Sequence, residues 1–278
     1  MTTLIVTILL GIFLGLMYVC NKLLSAKEFH AATFSTLYSI VSALLIFPFA
    51  LAEFRMNLDS PLHTILAIIS PVCFGLAFYF GLKAYKTTDV STVSLFSRLS
   101  IPIGAFSGIL ILSEHYTSKS YLGLILVMFG GLLVVYEKGR IVLNKGIFFS
   151  ALMASGYGII IVLDKIVLEK FSPFTYVFTN NAVIVLVFLL FSSAGKELLP
   201  AVKKFPLLIF LSAFFGVTSW AGFLKLIEFR EISKIYPIWE SMALITTVFL
   251  GILFLKEKGR IVQKIIGSLI TIAGIFLL

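Results

Sequence analysis

Gly251-Ile252-Leu253-Phe254-Leu255-Lys256-Glu257 closes an apolar run late in the chain, and Gly108-Ile109-Leu110-Ile111-Leu112-Ser113-Glu114 closes another, 251 − 108 = 143 residues earlier. Working outward from these stretches, the same shift keeps returning. Asp89-Val90-Ser91 and Glu231-Ile232-Ser233 open the two runs, 142 residues apart. Gly81-Leu82-Lys83 and Phe223-Leu224-Lys225 end the preceding runs at a shift of 142. Asn21-Lys22 and Asp164-Lys165, preceded by Gly15 and Gly158, match at 143. Glycine-rich apolar segments follow in both halves, Phe129-Gly130-Gly131-Leu132-Leu133 and Ala273-Gly274-Ile275-Phe276-Leu277. Five matches in one order, at a shift that varies by a single residue, indicate two homologous halves, residues 1–143 and 144–278.

The medium for these halves follows from composition. Of the 278 residues 60% are apolar and 13% charged, with a mean hydropathy of +1.10. A soluble domain carries about 25% charged residues. The apolarity is divided into runs long enough to cross a bilayer, and in lipid such a run must be helical to satisfy its own backbone. Ten spans are read: about 3–24, 31–54, 61–82, 90–112, 121–136, 146–168, 173–191, 206–227, 232–255 and 261–278. Loops are short, so any activity must reside among the helices. No positively charged segment precedes the first run, which is therefore read as a retained span rather than a cleaved leader. Five spans per half is an odd number, so the second half enters the membrane in the opposite sense. The expected fold is an all-α integral membrane protein with two inverted five-helix repeats around a central cavity, the architecture of secondary transporters.

The net charge of +9 has a membrane explanation. Lys and Arg cluster in the breaks between runs, where they anchor helix ends and set orientation. No nucleic-acid partner is expected. Apart from Arg98, breaks after odd-numbered spans hold 14 of these residues and breaks after even-numbered spans hold 7. Charge alone then places both termini outside. Cys20 and Cys73 have no CxxC or metal-ligand spacing and read as small buried residues. No Walker motif, GxSxG, HExxH or paired-Asp pattern is present, and His30, His63 and His115 lie at span ends. No enzyme activity, metal or cofactor is expected.

The residues from Gly81 to Tyr136, with Leu82-Lys83-Ala84-Tyr85, Pro102 and Glu114 before a glycine-rich span, resemble the drug/metabolite transporter superfamily in its ten-helix EamA-like branch. So does Lys225 to Leu278, with Glu257 in the matching place, and Gly15 to Lys22 is similar to that group's first span. The resemblance covers nearly the whole chain. It implies a ten-helix bundle whose cavity is lined mainly by spans 3, 4, 8 and 9, with help from 1, 2, 6 and 7. Spans 5 and 10 would be peripheral, and both termini would lie inside, opposite to the charge count.

Candidate functional residues follow from cost. Glu240, within Tyr236-Pro237-Ile238-Trp239-Glu240-Ser241, is a carboxylate inside an apolar run, and such groups face a bundle interior or a wet cavity. Helical spacing puts Ser233, Tyr236, Glu240, Ala243 and Thr247 on one face. Arg98 matches Glu240 at the shift of 142 and shares a face with Ser91, Ser94, Ile101 and Ala105. Three readings stand for the two charges: a buried ion pair that breaks during the cycle, separate receptors for the ends of a zwitterion such as an amino acid, or an Arg98 that snorkels to the interface. Tyr18, Tyr79, Tyr157, Trp220, Tyr236 and Trp239 are candidates for an aromatic lining, and Asn180 and Asn181 for cavity amides or interhelical bonding. Asp164 is a candidate for ion coupling alongside Glu240, with protons as the candidate ion. Lys22 and Lys165 read as interfacial anchors, and Glu114 and Glu257 as makers of helix-end hydrogen bonds. Pro102 and Pro237 are candidate hinges, since proline frees a carbonyl one turn back. The expected function is secondary transport of small organic metabolites, amino acids or similar amphiphilic solutes, by a monomer in a bacterial inner or cytoplasmic membrane. A channel or a non-transporting receptor is the alternative.

Overall fold

The first described helix, α1 (Thr2–Ser25), is apolar on every side, and so are most of its successors. The computed structural model describes residues 2–112, 115–137, 140–141, 144–191, 194–229 and 232–278. The helices after α1 are α2 (Ala31–Ala52), α3 (Pro61–Thr87), α4 (Val90–Ser97), α5 (Ser100–Leu112), α6 (Ser118–Val135), α7 (Lys145–Val167), α8 (Pro173–Phe191), α9 (Ala194–Lys204), α10 (Pro206–Phe229), α11 (Ile232–Leu253) and α12 (Ile261–Ile275). Eight helical segments, with Val90–Leu112 taken as one, are long and apolar enough to cross a membrane, and Ile238–Leu253 and Ile261–Ile275 are shorter apolar helices. Residues such as Leu44, Leu110, Leu190, Phe254 and Leu269 are more than 60% exposed on the outside of the bundle. Such a surface is stable only against lipid. The chain is an integral membrane protein.

The pairing of helices is set by small residues. α1 packs against α10 and α11, α3 against α7, α7 also against α5, α2 against α8, and α6 against α12. A Cβ on Gly15 would stand 2.6 Å from Cβ of Thr246 and 2.9 Å from the Ala243 carbonyl oxygen, and one on Gly158 would stand 2.7 Å from Cγ2 of Ile103 and 2.8 Å from the Ser100 carbonyl oxygen. Only glycine allows α1 to approach α11, and α7 to approach α5, this closely. Hydroxyls inside the spans largely satisfy themselves: those of Thr36, Ser150 and Thr247 donate to carbonyls four residues back.

Three local features depart from the sequence reading. The fourth span is broken between α4 and α5. Pro102 has no N–H to offer the Arg98 carbonyl, which accepts instead from Ile101 at 3.0 Å, while Arg98 and Leu99 donate back to Leu95 and Phe96 in tight three-residue turns. The break between spans 7 and 8 holds a helix, α9, which packs on α2. Glu197 of α9 accepts from the His30 amide at 3.0 Å and the Thr33 hydroxyl at 2.7 Å, and these donors hold its carboxyl below the usual range. Finally, Tyr136–Glu137 and Arg140–Ile141 form a two-residue antiparallel ladder within the otherwise all-helical fold.

Candidate functional site

The break in the fourth span positions Arg98 at the centre of the bundle. Its guanidinium forms an ion pair with Glu240 of α11, and their side chains are 2% and 8% exposed. Two charges removed from water cost several kcal/mol each unless paired, and here each charge offsets the other's cost. Among the described residues Nε and Nη2 of Arg98 have no hydrogen-bond partner, and the Tyr18 ring centre lies 5.9 Å from the guanidinium carbon.

A cavity of about 70 Å³ surrounds the pair. Its walls are Leu14, Met17 and Tyr18 of α1, Tyr38 of α2, Phe74 and Phe78 of α3, Tyr157 of α7, Trp220 of α10, and Tyr236 and Trp239 of α11. Trp239 donates its indole N–H to the Ser219 hydroxyl at 2.9 Å, and Phe223 stacks on its ring at 4.3 Å. The Trp220 indole N–H has no partner among the described residues. Ser100, Ile161, Trp220 and Tyr236 also line a second cavity of about 300 Å³. That larger space reaches Leu112, Tyr116, Leu168 and Leu278, at the end of the bundle where α1 begins and the chain finishes.

Asp164 of α7 also lines the larger cavity. Its Oδ1 accepts from the Ser70 hydroxyl of α3 at 2.6 Å and from the Tyr176 hydroxyl of α8, while Oδ2 is buried without a partner among the described residues.

The opposite end of the bundle is tied shut. Lys22 of α1 donates to the Tyr85 and Thr88 carbonyls that end α3, at 2.6 and 2.8 Å. Glu257, past the end of α11, accepts from the Val90 and Ser91 amides and the Ser91 hydroxyl, and so caps α4 from 167 residues away. An acidic group at a helix N-terminus satisfies free amides and complements the helix dipole. Lys264 of α12, 1% exposed, bonds to Asp89 at 2.7 Å and lies 3.4 Å from Glu257. Among the described residues no group of His, Cys, Asp and Glu is arranged to hold a metal ion.

The family model for EamA-like transporters matches residues 1–136 and 144–278. The chain belongs to the EamA-like transporter family, within the drug/metabolite transporter superfamily. A crystal structure titled only as that of a protein is similar with a TM-score of 0.56 and 15% identity, over 98% of this chain and 95% of that one. At that identity the likeness concerns fold alone. No curated protein matches the chain.

In this EamA-like chain, Arg98, Glu240, Tyr18, Tyr157, Trp220, Tyr236 and Trp239 converge on the smaller cavity. Tyr79 does not. Its ring sits 4.6 Å from Nζ of Lys83 and packs on Phe188 of α8. Asn180 and Asn181 are buried in α8, which lines neither cavity, and the Asn181 amide bonds the Val177 carbonyl one turn back at 2.8 Å. Arg98 does not snorkel outward, because the short turns at the break aim it inward. Glu257 makes the helix-end bonds expected of it, whereas Glu114, the Ser233 side chain and the Pro237 ring lie outside the described residues. The α11 backbone is helical across position 237, unlike the break near Pro102. Tyr38, Phe74 and Phe78 are walls that the sequence reading missed. Among 28 phenylalanines nothing in the sequence separates a wall from a lipid contact. The fifth span, α6, contributes Leu124 to the larger cavity although the resemblance made that span peripheral.

Proposed function

We propose that the chain is a secondary transporter that moves small organic metabolites, amino acids or similar amphiphilic solutes, by alternating access. Ten spans cross the membrane as two inverted repeats, 1–143 and 144–278. Contacts that recur at the sequence shift support this. The approach of α1 to Ala243 and Thr246 returns as the approach of α7 to Ser100 and Ile103, each pair displaced by 143. The α1–α10 pairing corresponds in the same way to the α7–α3 pairing. The family model's two matched stretches, near-equal in length, point the same way.

The observation that carries the substrate class is the Arg98–Glu240 pair with idle guanidinium donors in an aromatic cavity. A zwitterion replaces each charge of the pair with one of its own. Its carboxylate takes the Arg98 fork and its ammonium takes Glu240, so neither protein charge is left bare. The aromatic walls receive its apolar part. With one end tied by Lys22, Glu257 and Lys264 and the larger cavity reaching the other, the chain adopts a state open toward the end bearing its termini. The working unit is a monomer in a cytoplasmic membrane.

The test is counterflow in proteoliposomes across a panel of labelled amino acids and related amphiphiles. Saturable counterflow is expected, reduced at least tenfold by Arg98→Lys, which keeps the charge and loses the fork, and by Glu240→Gln. Absence of counterflow for every solute would overturn the reading.

A further inference from the structure

The bond from Ser70 to Asp164 has a counterpart. In α1 and α10, the Ser212 hydroxyl donates to Oδ1 of Asn21 at 2.6 Å. Ser70 and Ser212 are 142 residues apart, and Asn21 and Asp164 are 143 apart, the registers already found for these spans. One buried serine-to-side-chain bond thus occurs twice, at the same length, with an amide in one half and a carboxyl group in the other. An amide is neutral at every pH. A carboxylic acid is its near-isostere only with a proton on the oxygen that replaces the amide nitrogen.

The surroundings of Asp164 ask for the same proton. Both hydroxyl donors, from Ser70 and Tyr176, converge on Oδ1, and the Tyr176 hydroxyl also lies 3.0 Å from Ser70. Oδ2 is left buried with no donor among the described residues. An ionised carboxylate would hold charge on that bare oxygen at a cost of several kcal/mol. A protonated one holds a hydroxyl there, which requires only an acceptor or a water from the cavity it lines.

The neighbouring titratable and charged groups do not duplicate this role. α4 and α5 present none, and Arg98 between them is paired with Glu240. On α3, His63 lies two turns from Ser70 and is held by Ser60 at 2.7 Å and Glu169 at 3.4 Å. α8 presents Tyr176. Lys165, next in the chain, lines the same cavity, as do Tyr116 and Tyr236.

We propose that Asp164, braced by Ser70 and Tyr176, is an intramembrane proton-binding site, and that Asn21 with Ser212 is its permanently neutral counterpart in the first repeat. The site holds its proton in the state seen here and exchanges it with water through the larger cavity. On the carrier reading proposed above, it is the group that couples transport to protons.

Infrared difference spectra of the purified full-length protein in lipid, recorded between about pH 6 and about pH 9, where exposed carboxyls are already ionised, test this without any transported solute. The wild type should show a protonated-carboxyl stretch that is lost on alkalinisation. Asp164→Asn, which keeps the Ser70 bond, should remove that signal while retaining the thermal midpoint. Asn21→Asp should add a second protonated-carboxyl signal. A wild type without such a band, or a band that survives in Asp164→Asn, would overturn the assignment. Because no flux is measured, a failure of counterflow would bear on the carrier reading and leave this result intact.

Discussion

Gly158 and Gly195 are both helical glycines with opposite consequences. A Cβ on Gly158 meets Cγ2 of Ile103 and the Ser100 carbonyl oxygen at under 3 Å, whereas one on Gly195 finds only a Leu189 methyl at 3.8 Å. Gly158→Ala should lower stability by about 1–3 kcal/mol, since overpacking displaces backbone. Gly195→Ala should be neutral or stabilising by about 0.5–1 kcal/mol, through the entropy of the unfolded chain. Thermal midpoints of the two variants in one detergent check this. At this scale the sequence was partly legible. Arg98 and Glu240 stood out because ionisable groups in apolar runs are rare, and their shared register pointed to one site. Tyr79 and Asn180 could not be placed the same way. A span that is apolar all round has no polar face, so rotation about its axis leaves no trace in the pattern. Asp164 was legible as a coupling candidate, but its bond to Ser70, 94 residues away, is a contact made only by folding.

Among the elements, the interrupted fourth span is the most informative. Pro102 removes a donor, the Arg98 carbonyl turns to a three-residue bond, and α4 and α5 part at the residue that carries the cavity's cation. Pro102→Ala would return the missing N–H, and the two helices should merge across 98–101. Amide hydrogen exchange there should slow at least tenfold, and counterflow should fall more than substrate affinity. Equal loss of both would count against a hinge. The sequence announced this element because proline has one dominant effect in a helix. It did not announce α9, whose 11 residues are too polar to span and were absorbed into a break. Nor did it show that Glu257 would cap α4, because the two are adjacent only after folding.

Over the whole molecule, apolar run lengths carried the helical membrane fold, and one recurring shift carries the proposed inverted arrangement. Exposure of the chain's ends and connections checks it. In a variant lacking Cys20 and Cys73, Asp59→Cys and Lys258→Cys should react with a membrane-impermeant maleimide from opposite sides of sealed vesicles. Labelling of both from one side would overturn the inverted arrangement. The side on which Lys258→Cys reacts decides between the loop-charge orientation, which puts it in the cytoplasm, and the reverse.

The glycine crossings also determine which parts can move as blocks. α1 meets α11 at Gly15, and α7 meets α5 at Gly158, with no side chain between the backbones to slide or re-pack. Each contact joins a helix from one sequence half to a helix from the other. On the two-repeat reading proposed above, the sequence halves are units of ancestry and not of mechanics: one block is built around α1, α10 and α11, the other around α3, α5 and α7. Arg98 and Glu240 face each other across the seam between those blocks, and Lys22 and Glu257 stitch the same seam at one end. On the carrier reading proposed above, a solute that separates the central pair acts on the joint between two levers, far from either lever's own packing.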